Sequence, residues 1–532
     1  MKKLIVCLAG AVAVTVAALA APPPYYVTGD FNGWNAAGNL MTDMGGGIYQ
    51  TTITVPTPGR HEFKITEGDW SWNTPGANSW LYTDSSGNVT ITYDSNTYSD
   101  GWSSSSGRIG VNIDPGTWTA VGDWQGWNNA NPATAMTAAG GGIYVFQYFL
   151  AAPGTYQYKA VDTGSWDAIG SDARSINAYT LGFTTTDPNQ PVEFFVNASN
   201  GTIKNAVLPP LPCAVTNSIK FYLLPQLDHG FDVKDSRDSI ALADDFRCTN
   251  SGPITDIHVW ASWLNDQPGT ITNFWVGIYG DVPAGTNYLN GYVTNSHPGA
   301  LLWWTNFPQG GQVVQGIYTN YASEYFYNPT NNIIMGSDSV VWYYCFYPTQ
   351  PFVQQGSPTA PTNYWLAIRA QLAPDGTLYG WKSSAVPYND PAVWVTTVNG
   401  MPGLKSNWQS ITNPLTQQPL HLSMVLTTSN APTGCFEGDG VKYMQGPQFT
   451  NGFDIWDCNV NPGWPDDPFF LADDFICTNS GPITDIHLWG SWWHDWAATN
   501  AVTFWIGLWN VTLETSDARS LLSERGGSCD II

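Results

Sequence analysis

Apolar and polar residues alternate with a period of two in short runs along most of the chain. Clear examples are residues 49–55 (YQTTITV) and 61–65 (HEFKI), and glycine or proline lies between such runs. Strands with one buried face show this alternation, whereas the 3.6-residue period of an amphipathic helix is nearly absent here. The pattern therefore predicts an all-β chain of short strands joined by tight turns.

Two segments near the N-terminus repeat one another. The matching runs are 29–35 with 122–128 (GDFNGWN, GDWQGWN), 45–49 with 140–144 (GGGIY in both) and 58–64 with 153–159 (PGRHEFK, PGTYQYK). Such a repeat indicates one folded unit used twice. We expect two small immunoglobulin-like β-sandwiches, at 22–100 and 108–206, joined by a serine-rich linker at 103–106.

A longer unit follows at residues 213–428, after the proline-rich separator 208–212. It contains aromatic strand-like runs such as 273–279 (NFWVGIY), and its length and strand content predict one large jelly-roll-like β-sandwich. Residues 242–263 recur almost letter for letter as 471–492. We therefore expect a truncated second copy of the large sandwich at 433–532.

The N-terminus has the pattern of a secretory signal peptide. Lys2 and Lys3 precede an apolar run that ends in Ala18-Leu19-Ala20, the small-residue pattern at which signal peptidase cleaves. Residues 1–21 are therefore predicted to be removed, leaving a secreted or cell-surface protein without a membrane span. The alternative is an uncleaved anchor, which the prolines that follow the run disfavour.

Composition and charge narrow the range of partners. The 532 residues include 42 acidic and 18 basic side chains, for a formal net charge of −24, and only 11% of residues are charged. Because this field repels phosphate backbones and anionic lipid, nucleic acid is not an expected partner. The 27 Trp and 26 Tyr residues instead suit pleated, half-buried sheet surfaces.

The cysteines repeat in register with the larger unit. Cys213 and Cys248 correspond to Cys435 and Cys477, so the simplest disulfide pairing is Cys213 with Cys248 and Cys435 with Cys477. Other pairings stay open, because Cys345, Cys458 and Cys529 are also present. No CxxC spacing occurs in the sequence, which argues against a structural zinc site.

The first repeat resembles a known carbohydrate-binding domain. The runs that carry the resemblance are 29–34 (GDFNGW), 47–49 (GIY), 58–64 (PGRHEFK), 68–70 (GDW) and 87–89 (GNV). They resemble the glycogen-binding and isoamylase N-terminal type of early-set domain, the family that includes the carbohydrate-binding module of AMP-activated kinase β subunits. The fold that this implies is a small sandwich with an exposed sugar platform.

The resemblance also implies which residues contact the sugar. In the family, two tryptophans stack on the ring while a lysine and an asparagine bind hydroxyls. These correspond here to Trp34, Trp70, Lys64 and Asn88. The second repeat keeps Trp127, Lys159 and Trp166 but has no clear counterpart of Asn88. The alternative is that these tryptophans cover the core and that the modules are spacers.

The larger unit resembles an uncharacterised module of secreted environmental bacterial proteins, on runs that include 243–246 (ADDF) and 252–258 (GPITDIH). That resemblance implies no activity. Asp256 and His258 alternate on a predicted strand, so both point to one face, and Asp244 and Asp245 lie a turn away. Such a set can bind a cation such as calcium or act as acid and base. The alternative is a hydrogen-bonded network at a strand end.

No complete catalytic motif is present, and no cofactor is expected beyond calcium at that set. The first hypothesis is a noncatalytic secreted or surface protein whose tandem modules bind an α-glucan-like polysaccharide. The second is a structural or adhesive extracellular protein with spacer modules. The third is a polysaccharide-degrading enzyme with its site in 213–428, since a glycosidase needs only two suitably placed carboxylates.

Overall fold

The computed structural model describes residues 23–213, 219–235, 240–285, 288–289, 292–293, 295–309, 313–396 and 408–428. The predicted signal peptide (1–21) and the predicted second copy (433–532), which includes Cys435 and Cys477, lie outside them. Within the described residues nearly all regular structure is strand, so the all-β prediction is confirmed. The helices found there are the 3₁₀ turns Asp30–Asn32, Asp123–Gln125, Pro132–Thr134 and Leu264–Asp266. None of them has the length and apolar composition needed to cross a membrane.

The first small sandwich comprises two four-stranded sheets. Its strands are β1 (Tyr26–Gly29), β2 (Asn39–Leu40), β3 (Thr42–Gly45), β4 (Ile48–Thr54), β5 (Gly59–Thr66), β6 (Asn73–Thr83), β7 (Asn88–Thr97) and β8 (Ser106–Val111). The sheet orders are β2-β1-β5-β6 and β3-β4-β7-β8. The period of two places alternate residues in the core between the sheets, such as Phe63 and Ile65 from one and Val89 and Ile91 from the other.

Strand β8 corrects the predicted boundary between the small sandwiches. It pairs with β7, with Ile91 opposite Val111, and so completes the second sheet of the first sandwich. The first sandwich therefore extends beyond the predicted limit of residue 100. The predicted linker 103–106 also takes part in structure, because Ser103 forms a bridge with Ile203 of the second sandwich.

The second small sandwich repeats this architecture. Its strands are β9 (Trp118–Gly122), β10 (Thr137–Gly140), β11 (Ile143–Leu150), β12 (Gly154–Asp162), β13 (Asp167–Gly170), β14 (Ala173–Ile176), β15 (Leu181–Thr185), β16 (Gln190–Asn197) and β17 (Thr202–Val207). One sheet has the order β10-β11-β16-β17. The other has the order β14-β13-β12-β15, with β9 also paired to β12.

The two small sandwiches share a buried interface. Trp80 on β6 turns away from its own core, and its fully buried indole packs in the core of the second sandwich beside Trp118. Its Nε1 donates to the carbonyl of Ala168 at 3.1 Å. At the edge of the interface, Arg60 donates two hydrogen bonds to Asp167, at 2.5 and 2.6 Å. From Ser79 to Leu81, both faces of β6 are therefore buried.

The large unit is a sandwich of a ten-stranded and a six-stranded sheet. Its strands are β18 (Ile219–Leu223), β19 (Asp228–Lys234), β20 (Ile240–Cys248), β21 (Gly252–Ile254), β22 (Asp256–Trp263), β23 (Ile271–Val282), β24 (Tyr288–Leu289), β25 (Tyr292–Val293), β26 (His297–Pro308), β27 (Val313–Thr319), β28 (Ser323–Asn328), β29 (Ile333–Asp338), β30 (Val341–Phe346), β31 (Phe352–Gln354), β32 (Thr362–Leu372), β33 (Tyr379–Ser384), β34 (Val393–Thr396), β35 (Gln409–Ser410), β36 (His421–Leu422) and β37 (Met424–Thr427).

The ten-stranded sheet contains the path β18-β37-β22-β33-β19-β28-β29, with β27, β30 and β36 beside it, and the six-stranded sheet has the order β26-β23-β32-β20-β34-β35. β19 and β28 pair in parallel, a feature that the alternation of residues did not predict. The core between the two sheets is aromatic and aliphatic, with Phe274, Tyr344 and Trp381 among its buried members.

The outer face of the ten-stranded sheet is also covered. Trp260 and Val425 on this face pack with Leu208 from the predicted separator and with Phe149 of the second small sandwich. The separator is thus part of a small core, which agrees with the apolar character of Leu208.

The disulfide pairing predicted for Cys213 is wrong. Cys213 is bonded to Cys345, which faces outward on β30 of the ten-stranded sheet. Cys248 ends β20 in the six-stranded sheet, where its buried thiol is free and donates to the carbonyl of Asn250 at 3.1 Å. Cys213 cannot reach it, because Cys248 belongs to the core between the sheets while Cys213 follows the separator over the outer face.

Candidate functional site

Trp34 and Trp70 lie side by side on the surface of the first small sandwich. The 3₁₀ turn Asp30–Asn32 is followed by left-handed backbone at Gly33 (φ 66°) and at Trp34 itself (φ 59°). The amide N–H of Trp34 donates to the carbonyl of Gly29 at 2.8 Å. This hydrogen bond closes the loop that carries the indole. The ring centroids of Trp34 and Trp70 are 6.4 Å apart, with an interplanar angle of 42°. Trp70 is 47% exposed, so an aromatic surface faces the solvent.

Lys64, the lysine predicted for this surface, is held by the protein. Its ammonium donates to Asn73 Oδ1 at 3.0 Å and to the carbonyls of Pro75 and Gly76 at 2.5 and 2.8 Å. Partial burial lowers the pKa of Lys64. The lysine therefore fixes the start of β6, and binding to a sugar hydroxyl would compete with these contacts.

The structure does not place Asn88 with the tryptophan pair. Asn88 begins β7 in the opposite sheet, where its Oδ1 accepts a hydrogen bond from Thr54 at 2.8 Å. The asparagine that contacts Lys64 is Asn73, which lies three positions after Trp70. This contact was missed because the sequence motif pointed to the glycine-asparagine pair further along the chain.

The second small sandwich has the same loop at Trp127. Gly126 (φ 73°) and Trp127 (φ 57°) are again left-handed, and the Trp127 amide donates to the carbonyl of Gly122 at 2.9 Å. One side of Trp127 packs on a small core that includes Val121 and Ala168. The repeat of the motif therefore reproduces the backbone conformation as well as the residue types.

Lys159 and Trp166 form a second polar and aromatic group. The ammonium of Lys159 lies 5.2 Å from the ring centroid of Trp166, which is 42% exposed. Lys159 also donates to Asn177 Oδ1 at 2.5 Å and to the carbonyl of Ala178 at 3.1 Å. A lysine that donates to an asparagine is thus common to both small sandwiches, although the asparagine lies at a different spacing in each.

In the large sandwich, Asp256 and His258 share the outer face of β22, as predicted from their alternation. Asp256 accepts from the hydroxyl of Thr427 at 2.7 Å. His258 is only 2% exposed and lies beneath the disulfide, with Nδ1 3.1 Å from Cys345 Sγ. Burial lowers the pKa of His258 to about 4, so the ring is neutral at pH 7. Both side chains have structural partners.

Asp244 and Asp245 do not join Asp256 and His258, because they lie on β20 in the six-stranded sheet. Asp244 accepts from the amides of Leu422 and Asp245, at 2.5 and 2.9 Å. Asp245 points to the opposite side of its strand and accepts from Asn389 Nδ2 at 2.7 Å. The predicted four-residue cation site is therefore wrong: strand pairing separates its members into two sheets.

The family described as "Domain of unknown function (DUF7901)" matches residues 219–427 and 441–518, together more than half of the chain. This chain belongs to the DUF7901 family. The first DUF7901 segment coincides with the large sandwich from β18 to β37. Two tryptophan groups, Trp34 with Trp70 and Trp127 with Trp166, lie in the two small sandwiches and therefore outside both DUF7901 segments.

Three further proteins are similar to parts of this DUF7901 chain. A protein named alpha-amylase, from Niallia circulans, is 42% identical over 50 residues, which is 9% of this chain and 4% of that protein. The structure of SusF from Bacteroides thetaiotaomicron is 16% identical, with a TM-score of 0.17, over 39% of this chain and 51% of SusF. The pullulanase of Bacillus acidopullulyticus is 13% identical, with a TM-score of 0.14, over 72% of this chain and 28% of that enzyme. The chain thus spans a small fraction of the curated relative.

Proposed function

We propose that this chain is an exported, noncatalytic protein whose two small sandwiches bind an α-glucan-like polysaccharide. The observation that carries the proposal is the adjacent pair Trp34 and Trp70, which leaves an aromatic surface open to solvent at the edge of a rigid sheet. The function of the DUF7901 sandwich in this proposal is to display these modules.

The chemistry of the pair suits a sugar ring. A pyranose presents C–H groups on its faces and hydroxyls on its rim, so an aromatic plane covers the face while polar groups beside it orient the rim. The tilt of 42° between the two indoles makes a bent surface, which fits two consecutive rings of a curved polymer better than one flat ring. A helical α-glucan has that curvature.

Asn73 and Asn177 take the polar role that was predicted for Asn88. Each asparagine accepts a hydrogen bond from the lysine of its own module, and in the second module that lysine lies over the ring of Trp166. The early-set resemblance of both repeats and the short match to a protein named alpha-amylase are in keeping with an α-glucan as the ligand class.

Export and the lack of catalysis rest on other observations. The N-terminal pattern of a signal peptide and the Cys213–Cys345 disulfide both suit an oxidising compartment outside the cytoplasm. Two contacts argue against catalysis in the large sandwich. Asp256, one member of the predicted acid–base pair, accepts a hydrogen bond from Thr427, and the disulfide covers the other member, His258.

Affinity electrophoresis of the mature full chain in gels that contain glycogen or starch tests the proposal. The wild-type chain is expected to migrate more slowly than in a polymer-free gel. Trp34→Ala and Trp70→Ala should each remove most of this retardation, because truncating an aromatic side chain at the centre of a binding surface typically costs about 2 kcal/mol or more.

The matched control is Trp304→Ala. Trp304 is 44% exposed, close to the value for Trp70, but it lies on β26 of the large sandwich. This variant loses an equally exposed indole and should still be retarded like the wild type. Wild-type mobility that is the same in all gels would overturn the proposal, as would equal losses in the Trp70 and Trp304 variants.

A further inference from the structure

A row of polar side chains crosses the outer face of the ten-stranded sheet. It has one member from each of five consecutive strands, β22, β33, β19, β28 and β29. In that order the members are Ser262, Lys382, Asp232, Glu324 and Asp338. Strand register aligns them: Asp232 lies opposite Lys382, and Glu324 lies opposite Asp338. The neighbours of these residues along each strand, such as Phe231 and Trp381, face the core instead.

All five side chains are buried, with at most 5% of any residue exposed. The carboxylates of Asp232, Glu324 and Asp338 offer oxygens that lie within 4.8 Å of one another. Lys382 contacts two of them, with its Nζ 2.8 Å from Asp232 Oδ2 and in direct contact with Glu324 Oε2. Among the described ion pairs of this group, three carboxylates therefore face the one ammonium group of Lys382, an excess of two negative charges when all are ionised.

Within the part of the chain that the structure describes, the oxygens that Lys382 does not use have no hydrogen-bond partner of normal geometry. They are Asp232 Oδ1, Glu324 Oε1 and both carboxylate oxygens of Asp338. Buried polar atoms normally find a partner, and a buried unpaired charge is costly.

Ser262 is an independent sign of a ligand at this place. It is not acidic, it is fully buried, and its hydroxyl lies close to Asp232 and Asp338 but has no hydrogen-bond partner of normal geometry. A serine placed only to fill space on this face could be alanine. The Ser262 hydroxyl thus adds a fourth side-chain oxygen beside the three carboxylates.

We propose that Asp232, Glu324, Asp338 and Ser262 bind one calcium ion, with Lys382 as the neighbouring positive charge. Oxygen-only ligands select a hard cation, and Ca²⁺ accepts six to eight of them at about 2.3–2.6 Å in irregular geometry. Oxygens that share such an ion lie up to about 5 Å apart, and one oxygen from each of the three carboxylates meets this condition. A divalent ion also balances the two excess negative charges.

This ion would have a structural role. The site joins β22 in the middle of the sheet to β29 at its edge, and the ligands come from residues 232, 262, 324 and 338. If calcium binds only to the folded chain, it stabilises the sandwich by an amount that grows with the ratio of free calcium to the dissociation constant.

Thermal unfolding of the mature full chain tests the site. The protein is stripped with EDTA, dialysed and heated with increasing CaCl₂, and its bound calcium is measured by elemental analysis. The melting temperature is expected to rise by about 5 to 10 °C once calcium reaches roughly 100 times the dissociation constant. One tightly held calcium ion per chain is expected in the wild type.

Asp338→Asn should abolish both the tight calcium and the rise in melting temperature. Because this variant could fail to fold, Ser262→Ala is the second variant, and it should require several-fold more calcium for the same rise. Asp43→Asn, which changes an exposed carboxylate in the first small sandwich, controls for calcium bound weakly by an acidic surface and should respond like the wild type. The proposal is overturned if the wild type shows no rise, or if both site variants respond as it does.

Discussion

The interface between the small sandwiches yields a quantitative prediction for Trp80→Ala. Trp80 is fully buried between the modules and contacts Trp118, and the Arg174 guanidinium lies 4.3 Å from its ring. Truncating a buried tryptophan to alanine costs about 3 to 5 kcal/mol. The variant also removes the indole N–H that donates to Ala168. We therefore expect the upper part of that range.

Hydrogen exchange followed by mass spectrometry localises the effect. Peptides that cover β13 and β14 should exchange roughly 10³- to 5 × 10³-fold faster in the variant, since each ~1.4 kcal/mol of lost opening free energy is a factor of ten. Peptides from the large sandwich, such as those from β32, should keep their rates.

Trp70→Ala is the matched control, because it removes the same side chain from an exposed position of the same module. Surface changes of this kind usually alter stability by less than about 0.5 kcal/mol, so exchange in β13 and β14 should change less than threefold. Protection of β13 and β14 that survives in Trp80→Ala would refute the interface, as would equal effects of the two variants.

Two further predictions concern the cysteines and a buried acid. Peptide mapping without reduction should recover a Cys213–Cys345 pair, and Cys248 should be alkylated only after unfolding. A disulfide that contains Cys248 would contradict the assignment. Because the Cys213–Cys345 bond spans 132 positions, Cys345→Ala should lower the free energy of unfolding by roughly 5 kcal/mol. Burial raises the pKa of Glu193 to about 8, although Gln147 donates to it at 2.6 Å. Folding therefore retains a proton that the unfolded chain releases, and stability should fall as the pH rises from about 5 to 8, by at most ~1.4 kcal/mol per pH unit from this group. Glu193→Gln should make the melting temperature less dependent on pH over that interval, and an unchanged dependence would disprove the assignment.

Local features of the fold were predictable from the sequence. The alternation of residues predicts the strands, and the repeated GDxxGW motif predicts one loop conformation twice, which the left-handed backbone at Trp34 and Trp127 shows. Such features depend on neighbouring residues, so a short stretch of sequence contains the information. The apolar residues on both sides of Leu81 in β6, Trp80 and Tyr82, also signal burial on two faces, although they do not say against what.

Features that depend on long-range register were not predictable in this way. Cys345 is Cys213's partner because two distant segments meet on the outer face of one sheet, and nothing in the cysteine spacing shows this. The buried row that contains Asp232 and Asp338 is similar, because its five strands are adjacent in the sheet but scattered over residues 228–384. Asp244 and Asp256, by contrast, are close in sequence and belong to different sheets.

The interface around Trp80 also determines how the two tryptophan groups can act together. Modules on a flexible linker reorient to meet a polymer, whereas these modules are fixed by Trp80, by the Arg60–Asp167 ion pair and by the Ser103 bridge. A fixed arrangement avoids the entropy cost of ordering two modules on one ligand, but only when both sites can reach the same chain. Trp80→Ala keeps the Trp34–Trp70 surface of the first small sandwich, but it weakens both the coupling and the β13–β14 side of the second one. Trp34→Ala removes a sugar contact directly, so Trp80→Ala should lose less glycogen retardation. The part that it loses measures the contribution of the second small sandwich held in its fixed position.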